Sequence, residues 1–407
     1  MIKIYAMKNN IHRKIYIKKI EPFIGKNLIK VIIGQRRVGK SYFLLQLQEV
    51  IKLQSPDIPV VYINKEDLYF SEIKDYEDLV KYVEDKRSNQ GMHTLFIDEI
   101  QDIVQFEKAL RHLQSSGIWD IYITGSNAHI LSGELATYLS GRYIEINLYS
   151  LSYSEFLVFH GLSESIDSFN KFIRYGGLPY LINLELTDEI VFDYLNNIFY
   201  SILYRDIISR FNIRNTSFIE RLCLYIADNI GQLVSAKRIS EYLKSQHVTF
   251  SHNIVLDYLQ YLQNAFLVFG IRRNDLKGKK ILETGEKMYF QDMGLRNSLL
   301  GFRQDDISQL LENVVFQHLL INNFKITIGK IDDKEIDFVC EKNNSKLYIQ
   351  VTLSLSDKNV RSREINNLLL LKDNFRKLIV TTDEIVPDQI DGIEIYNIRK
   401  FLTDFPN

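Results

Sequence analysis

The sequence predicts an α/β fold in which a mostly parallel sheet forms the amino-terminal part of the chain. A mostly apolar run of strand length, Leu28–Ile33, leads through a glycine-rich loop into a helical pattern at Tyr42–Ile51. Two further apolar runs, Pro59–Asn64 and Trp119–Gly125, end in polar residues. Helical patterns are predicted between them at Ser71–Glu84 and Phe106–Ser115. The basic segment Arg13–Ile24 also has a helical pattern, and either packs beside the loop or forms a solvated face. This alternation of strands and helices is typical of an open α/β sheet.

The glycine-rich loop fits the spacing G-x-x-x-x-G-K-[ST], which is typical of a phosphate-binding loop. In such a loop, backbone N–H groups and the helix N-terminus face an anion. We expect Lys40 to reach the β- and γ-phosphates of ATP and the Ser41 hydroxyl to ligate Mg²⁺. A chance glycine turn before a core helix is the weaker alternative, because strand, loop and helix agree. The predicted nucleotide-binding residues are Gly34, Gln35, Arg36, Arg37, Val38, Gly39, Lys40, Ser41 and Tyr42, together with Asp98 and Ser126.

An acidic pair, Asp98 and Glu99, follows the apolar run that begins at Thr94. In an open α/β sheet, ligands bind at the carboxyl ends of the strands. Asp98 is therefore predicted to hold Mg²⁺ together with Ser41, directly or through water. Glu99 is predicted to orient and polarise the attacking water, which makes it a catalytic residue beside Lys40. The sequence thus predicts a P-loop NTPase core with ATP and Mg²⁺ as cofactors.

Two further features of the sequence each allow a functional and a structural interpretation. Thr124, Ser126 and Asn127 lie at the end of the strand Trp119–Gly125, where one of them senses the γ-phosphate or they form only a turn and a helix cap. Arg142 precedes the next predicted strand. It either stabilises transition-state charge, in cis or across a subunit boundary, or forms a structural salt bridge.

Several short motifs together resemble bacterial and archaeal AAA-type ATPases that carry an uncharacterised carboxyl-terminal region. The motifs are G-Q-R-R-V-G-K-S, F-I-D-E-I-Q, Y-I-T-G-S, L-S-G-R, S-L-S-Y-S-E-F at 150–156, Y-G-G-L-P at 175–179 and Y-R-D-I at 204–207. The resemblance covers nearly the whole chain. It implies an AAA-type core with Lys40, Ser41, Asp98 and Glu99 in the roles given above, and it implies a possible homo-oligomer. It does not supply a cellular function.

We expect four domains along the chain. Residues 1–150 form the ATPase core, 151–212 a helical lid, 213–300 a winged helix and 301–407 a nuclease-like α/β domain. The middle helices, which include a long helix predicted at Glu189–Phe211, fit a lid after an AAA-type core, but a plain helical connector fits equally. Within them, Arg205 and Asp206 either reach the nucleotide or a neighbouring subunit, or form an internal ion pair.

The prediction of a winged helix is based on three predicted helices and a β-ribbon. Helices are predicted at Thr216–Asn229 and from caps at Ser235 and Ser251, followed by strands at Phe266–Arg273 and Lys287–Phe290. In DNA-binding members the third helix enters the major groove. Here its candidate outward residues, such as Asp257 and Gln260, are polar but not basic, so the partner is either DNA or a protein. The cations that could contact DNA phosphates are Arg272, Arg273, Lys277, Lys279 and Lys280.

The last third resembles the restriction-endonuclease-like, PD-(D/E)XK fold. Its active pattern needs a helical Glu, an Asp at a strand end, and E-x-K on the next strand, because carboxylates hold Mg²⁺ and the lysine activates the nucleophile. Glu312 and Asp337 match, but Gln350 and Thr352 stand at the last two positions. We therefore expect a degenerate site, with an active nuclease as the alternative if another cation, such as Lys346 or Arg363, takes over.

Composition limits the remaining possibilities. A net charge of −1 over 407 residues restricts any nucleic-acid surface to a local patch. The only cysteines, Cys223 and Cys340, have no metal-binding spacing, which favours a reducing compartment and hence the cytoplasm. No apolar run reaches about 18 residues, so we expect no membrane partner. Three functions stay open: an ATPase switch acting on DNA or a protein, an ATP-regulated nuclease, and a non-hydrolysing nucleotide-dependent interaction module.

Overall fold

The computed structural model describes residues 11–88, 91–128, 139, 141–245, 252–278 and 280–406. The chain divides into two compact units, Met1–Tyr149 and Ser150–Asn407. The predicted helix cap Ser251 and the predicted wing residue Lys279 lie outside the described residues. Within the described ranges, each helix is too short or too polar to cross a bilayer.

The described part of the first unit is built on a parallel sheet with the order β2-β3-β4-β1-β5. The strands are β1 (Ile29–Ile33), β2 (Val60–Asn64), β3 (His93–Asp98), β4 (Trp119–Gly125) and β5 (Tyr143–Asn147). The helices are Lys14–Ile20, Lys40–Gln54, Tyr76–Asp85 and Phe106–Ser115, with 3₁₀ turns at Glu21–Phe23, Leu68–Phe70 and Ile100–Asp102. The predicted α/β core with a parallel sheet is confirmed.

The order of the strands determines which strand ends lie together, and therefore where ligands can bind in this unit. β1, β3 and β4 are buried along their whole length, as expected for strands covered on both faces. β4 lies between β1 and β3, with Ile33 opposite Gly125 and Ile97 opposite Ile123. The carboxyl ends of the three strands therefore meet at one edge, and the glycine-rich loop and the acidic pair leave from that edge.

One helix begins later than the sequence predicts. The prediction placed its start at Ser71, whereas the structure begins it at Tyr76. The side chain of Asp75 accepts hydrogen bonds from the backbone N–H groups of Glu77 and Asp78, so it caps the helix there. A local cap therefore overrides the charged helical pattern that precedes it.

The described part of the second unit contains a sheet of nine strands in the order β13-β14-β12-β11-β10-β9-β7-β8-β6. The strands are β6 (Leu233–Val234), β7 (Val268–Asp275), β8 (Lys280–Phe290), β9 (Lys325–Ile331), β10 (Lys334–Lys342), β11 (Ser345–Thr352), β12 (Arg376–Thr381), β13 (Gln389–Ile390) and β14 (Ile393–Asn397). The helices are Tyr153–His160, Ile166–Tyr175, Asp188–Ser201, Thr216–Asp228, Ala236–Ser245, His252–Asn264, Met293–Leu300, Ile307–Ile321, Lys358–Leu369 and Ile398–Asp404, with 3₁₀ turns at Pro179–Asn183 and Gln304–Asp306.

The ribbon β7–β8 and the carboxyl-terminal strands belong to one continuous sheet. β7 pairs in parallel with β9, from Arg273 opposite Ile328 to Asp275 opposite Lys330. β8 begins at Lys280, before the predicted start at Lys287, because its antiparallel pairing with β7 resumes beyond a bulge. The division of this unit into lid, winged helix and nuclease-like domain stays a prediction.

The predicted long helix Glu189–Phe211 changes its winding part-way. An α-helix runs over Asp188–Ser201, and a π-helix continues it over Ile202–Ser209. The motif Y-R-D-I therefore lies within π-helical backbone. This conformation is rare in proteins, and where it occurs it is often at a functional site. Arg205 is exposed, whereas Asp206 is buried.

The motif Y-G-G-L-P has a packing explanation. Gly176 adopts a φ of +77°, and a Cβ at this position would lie 2.1 Å from Asp292 Oδ1. A Cβ on Gly177 would lie 2.5 Å from the Leu151 carbonyl oxygen. The buried Asp292 carboxylate accepts hydrogen bonds from the N–H groups of Gly177 (2.8 Å) and Leu295 (3.2 Å). Both glycines are thus required where segments distant in sequence touch through their backbones.

Candidate nucleotide-binding site

The loop between β1 and the helix Lys40–Gln54 has the backbone of an anion cradle. Gly39 occupies the N-cap position with a φ of +96°, and no side chain caps the helix. The first N–H groups of a helix have no acceptor within the helix. Here they are left to a ligand, and the helix dipole favours an anion at that place.

Lys40 lies inside the curve of this loop. Its side chain is buried, and Nζ donates to the carbonyl oxygens of Gly34 (3.1 Å) and Gln35 (3.2 Å). The ammonium is therefore held over the cradle by the loop itself. A positive charge in this position complements the terminal phosphates of a nucleotide.

The acidic pair at the end of β3 meets the loop from the neighbouring strand. The buried Asp98 carboxylate accepts hydrogen bonds from the hydroxyls of Ser41 and Thr124. Thr124 in turn accepts a hydrogen bond of 2.9 Å from the Glu99 backbone N–H. Thr124 thus fixes the end of β3, although its role as a phosphate sensor stays a prediction. The hydroxyl and the carboxylate predicted to hold Mg²⁺ lie together.

Glu99 faces Lys40 across the cradle. Its Oε1 lies 3.7 Å from Lys40 Nζ, and its Oε2 accepts a hydrogen bond of 2.5 Å from Gln101 Nε2. Its backbone φ of +55° is uncommon for a non-glycine residue. Strain of this kind is found at functional sites, where it aims a side chain.

The two carboxyls have pKa values shifted in opposite directions. Burial raises the pKa of Asp98 above its usual value, although the Ser41 and Thr124 hydroxyls and Lys40 oppose the shift. Burial also acts to raise the pKa of Glu99, but Lys40 and the Gln101 hydrogen bond outweigh it and lower the pKa, with smaller contributions from Arg36 and Ser126. Glu99 is therefore held ionised, as a group that polarises water must be.

The loop also contains an orphaned polar group. The Gln35 side chain is fully buried, and neither its amide nitrogen nor its amide oxygen has a hydrogen-bond partner in the part of the chain that the structure describes. Buried amides are usually satisfied, so an unsatisfied one indicates a missing polar partner. Together with the uncapped helix and the Lys40 ammonium, this fits a bound nucleotide with Mg²⁺.

The remaining predicted loop residues differ in exposure. Val38 is fully buried, whereas Tyr42 is exposed and Arg37 is exposed with a φ of +73°. Arg36 directs its guanidinium to Glu66 at the end of β2, at 3.4 Å. Ser126 is buried at the end of β4, on the same edge of the sheet.

Arg142 does not belong to this constellation. It precedes β5, whose first residue, Tyr143, pairs with Ile29 at the amino end of β1. The loop leaves the carboxyl end of the same strand, roughly 13 Å away along the strand axis. A catalytic role of Arg142 in its own subunit is therefore wrong on geometric grounds, and a role in a neighbouring subunit stays a prediction.

Sequence reasoning did not single out Arg13. The residue is buried, and its guanidinium donates to the carbonyl oxygens of Val38 (3.3 Å) and Tyr149 (3.1 Å from each Nη). Its backbone N–H donates to Gln46 Oε1 on the helix that follows the loop. Arg13 thus ties the phosphate loop to the last residue of the first unit. The basic pattern at Arg13–Ile24 was the available signal, but it could not show which cation is buried.

Glu312 and Asp337 of the predicted nuclease-like site also meet, around a cation that was not predicted. Glu312 lies on the helix Ile307–Ile321, Asp337 on β10, and Gln350 and Thr352 on β11. The cation is Lys287 of β8. Lys346 and Arg363, the candidates named from the sequence, pair instead with Glu341 (3.3 Å) and Glu364 (2.6 Å).

Cations of the predicted wing are partly neutralised. Arg272 pairs with Glu286 at 3.2 Å, and Lys277 pairs with Asp332 at 2.5 Å. Both pairs are largely solvent-exposed, so they are weak and a competing anion can displace them. The wing therefore offers less free positive charge than its sequence indicates.

Comparisons with known proteins show the family to which the chain belongs. A model described as "AAA domain" matches residues 26–157, and one described as "Domain of unknown function (DUF8612)" matches residues 166–306. An uncharacterised protein of Haemophilus influenzae is 37% identical over 402 residues, which cover 97% of this chain and 99% of that protein. The chain belongs to this family of AAA-type P-loop ATPases.

A relative of this chain occurs in archaea, and a solved structure has a similar fold. An uncharacterised protein of Methanocaldococcus jannaschii is 33% identical over 370 residues, covering 86% of this chain and 80% of that one. The Walker-type ATPase of Pyrococcus abyssi has a similar fold, with a TM-score of 0.50 at 15% identity over 72% of this chain and 96% of that chain. A P-loop ATPase fold is a nucleotide-binding fold, and the usual metal partner of the nucleotide is Mg²⁺.

Proposed function

We propose that this AAA-type protein hydrolyses ATP with Mg²⁺ and uses the reaction to drive a conformational switch that acts on DNA or on another protein. The observation that carries the proposal is the convergence of Lys40, Ser41, Asp98 and Glu99 at one edge of the parallel sheet. Each of the four side chains contacts at least one of the others.

Each residue has a distinct role in the proposed reaction. The backbone N–H groups at the helix start and the Lys40 ammonium bind the β- and γ-phosphates. Ser41 and Asp98 would hold Mg²⁺, which when bound neutralises charge on the phosphates. Glu99 orients a water molecule and accepts its proton as the terminal phosphate is attacked. Gln101 and Thr124 are positioning residues, since they fix the Glu99 carboxylate and backbone.

Substitution of Lys40 tests the binding half of the proposal. We expect Lys40→Ala to weaken ATP binding at least tenfold and to abolish Mg²⁺-dependent phosphate release, because the loop loses the ammonium that lies over the cradle. Lys52→Ala, an exposed position on the same helix, is the matched control and should match the parent. Phosphate release by Lys40→Ala at the parent rate would overturn the proposal. ATP binding by the parent without turnover would favour a non-hydrolysing interaction module.

We further propose that the partner binds through the helices Thr216–Asp228, Ala236–Ser245 and His252–Asn264 with the ribbon β7–β8. Their order, with β6 paired to β8, is compatible with a winged helix. The exposed side chains of the third helix include the polar Asp257 and Gln260 and the apolar Leu256.

Because the wing cations are partly paired with acids, any DNA affinity should be modest and should fall with salt. Fluorescence anisotropy of labelled duplex DNA, measured over a salt series with and without ATP, tests this. Arg272→Ala with Lys277→Ala should reduce both the affinity and the salt slope. Binding that these changes leave intact would exclude the wing, and no DNA binding at low salt would point to a protein partner. A homo-oligomer completed by Arg142 and a cytoplasmic location stay predictions.

A further inference from the structure

Lys287 occupies the centre of the carboxylate cluster in the second unit. Its side chain is 5% exposed, and Nζ lies 2.8 Å from Glu312 Oε1, 2.7 Å from Glu335 Oε1 and 3.9 Å from Asp337 Oδ1. An ammonium group has three N–H donors. Three carboxylates from a helix and a neighbouring strand therefore surround one cation with three donors.

Two further donors point at the Glu312 and Asp337 carboxylates. The Tyr289 hydroxyl donates to Glu312 Oε1 at 2.5 Å, and the Val351 N–H donates to Asp337 Oδ2 at 2.8 Å. These bonds direct donors at the oxygens that a metal ion would need. In the PD-(D/E)XK pattern that this region resembles, the same two carboxylates bind Mg²⁺.

Gln350 stands at the position of the second metal-binding carboxylate. Both polar atoms of its side chain are already hydrogen-bonded. Its Oε1 accepts from the Asp337 N–H at 2.7 Å, and its Nε2 donates to Glu364 Oε2 at 2.6 Å. Among the described residues, no group of three His, Cys, Asp or Glu side chains is arranged to hold a metal ion. A divalent cation does not fit the residues present.

We propose that Lys287 takes the place of the divalent cation, so that this site binds no metal and cuts no nucleic acid. The ammonium neutralises carboxylates that would otherwise repel one another in a buried place. Since Lys287 lies on β8, Glu312 on a helix and Glu335 and Asp337 on β10, the same contacts tie the ribbon to the carboxyl-terminal strands. The site is a structural junction whose cation is part of the chain.

The position of Lys287 explains why Thr352 is tolerated. A lysine at position 352, as in an active nuclease, would place a second ammonium on the strand beside Asp337. Lys287 already supplies a positive charge next to that carboxylate. The charge that the fold requires is supplied from a strand distant in sequence. This inference does not rest on ATP hydrolysis, and its test needs no nucleotide.

The test is metal rescue of a Lys287 variant. Every protein carries Asp98→Asn, so that the predicted Mg²⁺ position at Ser41 and Asp98 loses its carboxylate ligand. We expect Lys287→Ala to lower the Tm by several degrees, and millimolar MnCl₂ to restore part of that loss while leaving the Tm of the Lys287 protein unchanged. Lys287→Ala with Asp337→Asn should not respond to MnCl₂. Absence of any Mn²⁺ response in a folded Lys287→Ala protein would overturn the proposal.

A second measurement decides the matter even if Lys287→Ala fails to fold. Bound Mn²⁺ is counted by electron paramagnetic resonance for the Lys287 protein and for the same protein with Asp337→Asn. The proposal predicts equal counts, and no cleavage of plasmid DNA by either protein in Mg²⁺ or Mn²⁺. A bound ion that disappears with Asp337→Asn, or cleavage that this change abolishes, would contradict it.

Discussion

Asp98 shows how a single residue at this site carries a cost in stability. Burial raises its pKa in the folded protein above the unfolded value of about 3.9. The folded state therefore binds a proton more readily than the unfolded state. For this group, stability is highest below the unfolded pKa and is lost as the pH rises through the folded pKa. Above the folded pKa the nucleotide-free protein carries the full penalty.

Asp98→Asn should therefore stabilise the nucleotide-free protein while removing its activity. We expect a higher Tm than the parent at pH 7, a difference that narrows toward pH 4, and at least a hundredfold loss of Mg²⁺-dependent ATP hydrolysis. Thermal unfolding over a pH series and a phosphate-release assay measure the two effects. A Tm below that of the parent at pH 7 would show that the buried carboxylate is compensated in some other way.

Arg13 is a positioning residue whose removal should affect nucleotide binding more than folding. Without its guanidinium, the Val38 carbonyl in the phosphate loop loses its tie to Tyr149. We expect Arg13→Gln to raise the KM for ATP about tenfold with a smaller change in kcat, since a hydrogen bond to a charged group contributes about 1.5–3 kcal/mol.

Two comparisons separate positioning from a purely structural role of Arg13. Lys14→Gln, at the exposed neighbouring position, should behave like the parent. Arg13→Lys should recover only part of the ATP affinity, because one ammonium cannot reproduce the planar fork that contacts both carbonyls. A lower Tm with an unchanged KM in Arg13→Gln would mean that the residue serves the fold alone.

At the level of elements, the sequence correctly predicted the helices and strands that a local residue pattern determines. β4 and the helix Phe106–Ser115 have the predicted bounds, because an apolar run and an amphipathic repeat need no distant partner to be recognised. The phosphate loop and the acidic pair could be placed at one edge of the sheet because parallel strands share their carboxyl ends. Their individual roles stay predictions.

Elements that depend on distant pairing could not be predicted. The two-residue strand β6 exists only because Leu233 and Val234 pair with Lys287 and Glu286 of β8. Lys287 itself reads as an ordinary strand residue, and its three acidic partners lie 25 to 50 residues away in the sequence. The predicted catalytic role of Arg142 in its own subunit failed for the same reason. The edge of the sheet at which Arg142 lies follows from the pairing of β5 with β1.

At the scale of the whole molecule, the pH dependence of folding should have a buried histidine as one source. His318 is packed against Phe401, and its Nε2 lies 2.5 Å from the Phe405 carbonyl oxygen. Burial lowers the pKa of His318 to about 4, against about 6.5 in the unfolded chain. Between these two values the unfolded state takes up a proton and the folded state does not, so stability falls as the pH drops.

We expect His318 to account for a loss on the order of 3 kcal/mol in the free energy of unfolding between pH 6.5 and 4. Urea unfolding of the parent and of His318→Gln at several pH values measures it. The variant should show a shallower dependence on pH, whereas His112→Gln at an exposed position should follow the parent. Parallel curves for the parent and His318→Gln would exclude this histidine as the source.

The central claim is that Lys40 and Glu99 act on the same bound triphosphate, and comparison of ATP binding with ATP turnover in Glu99→Gln tests it most directly. The amide keeps the shape of the side chain but cannot accept the proton of the attacking water. The account predicts ATP affinity within about threefold of the parent and turnover reduced by a factor of about 10²–10⁴. Turnover equal to that of the parent, at equal affinity, would contradict it.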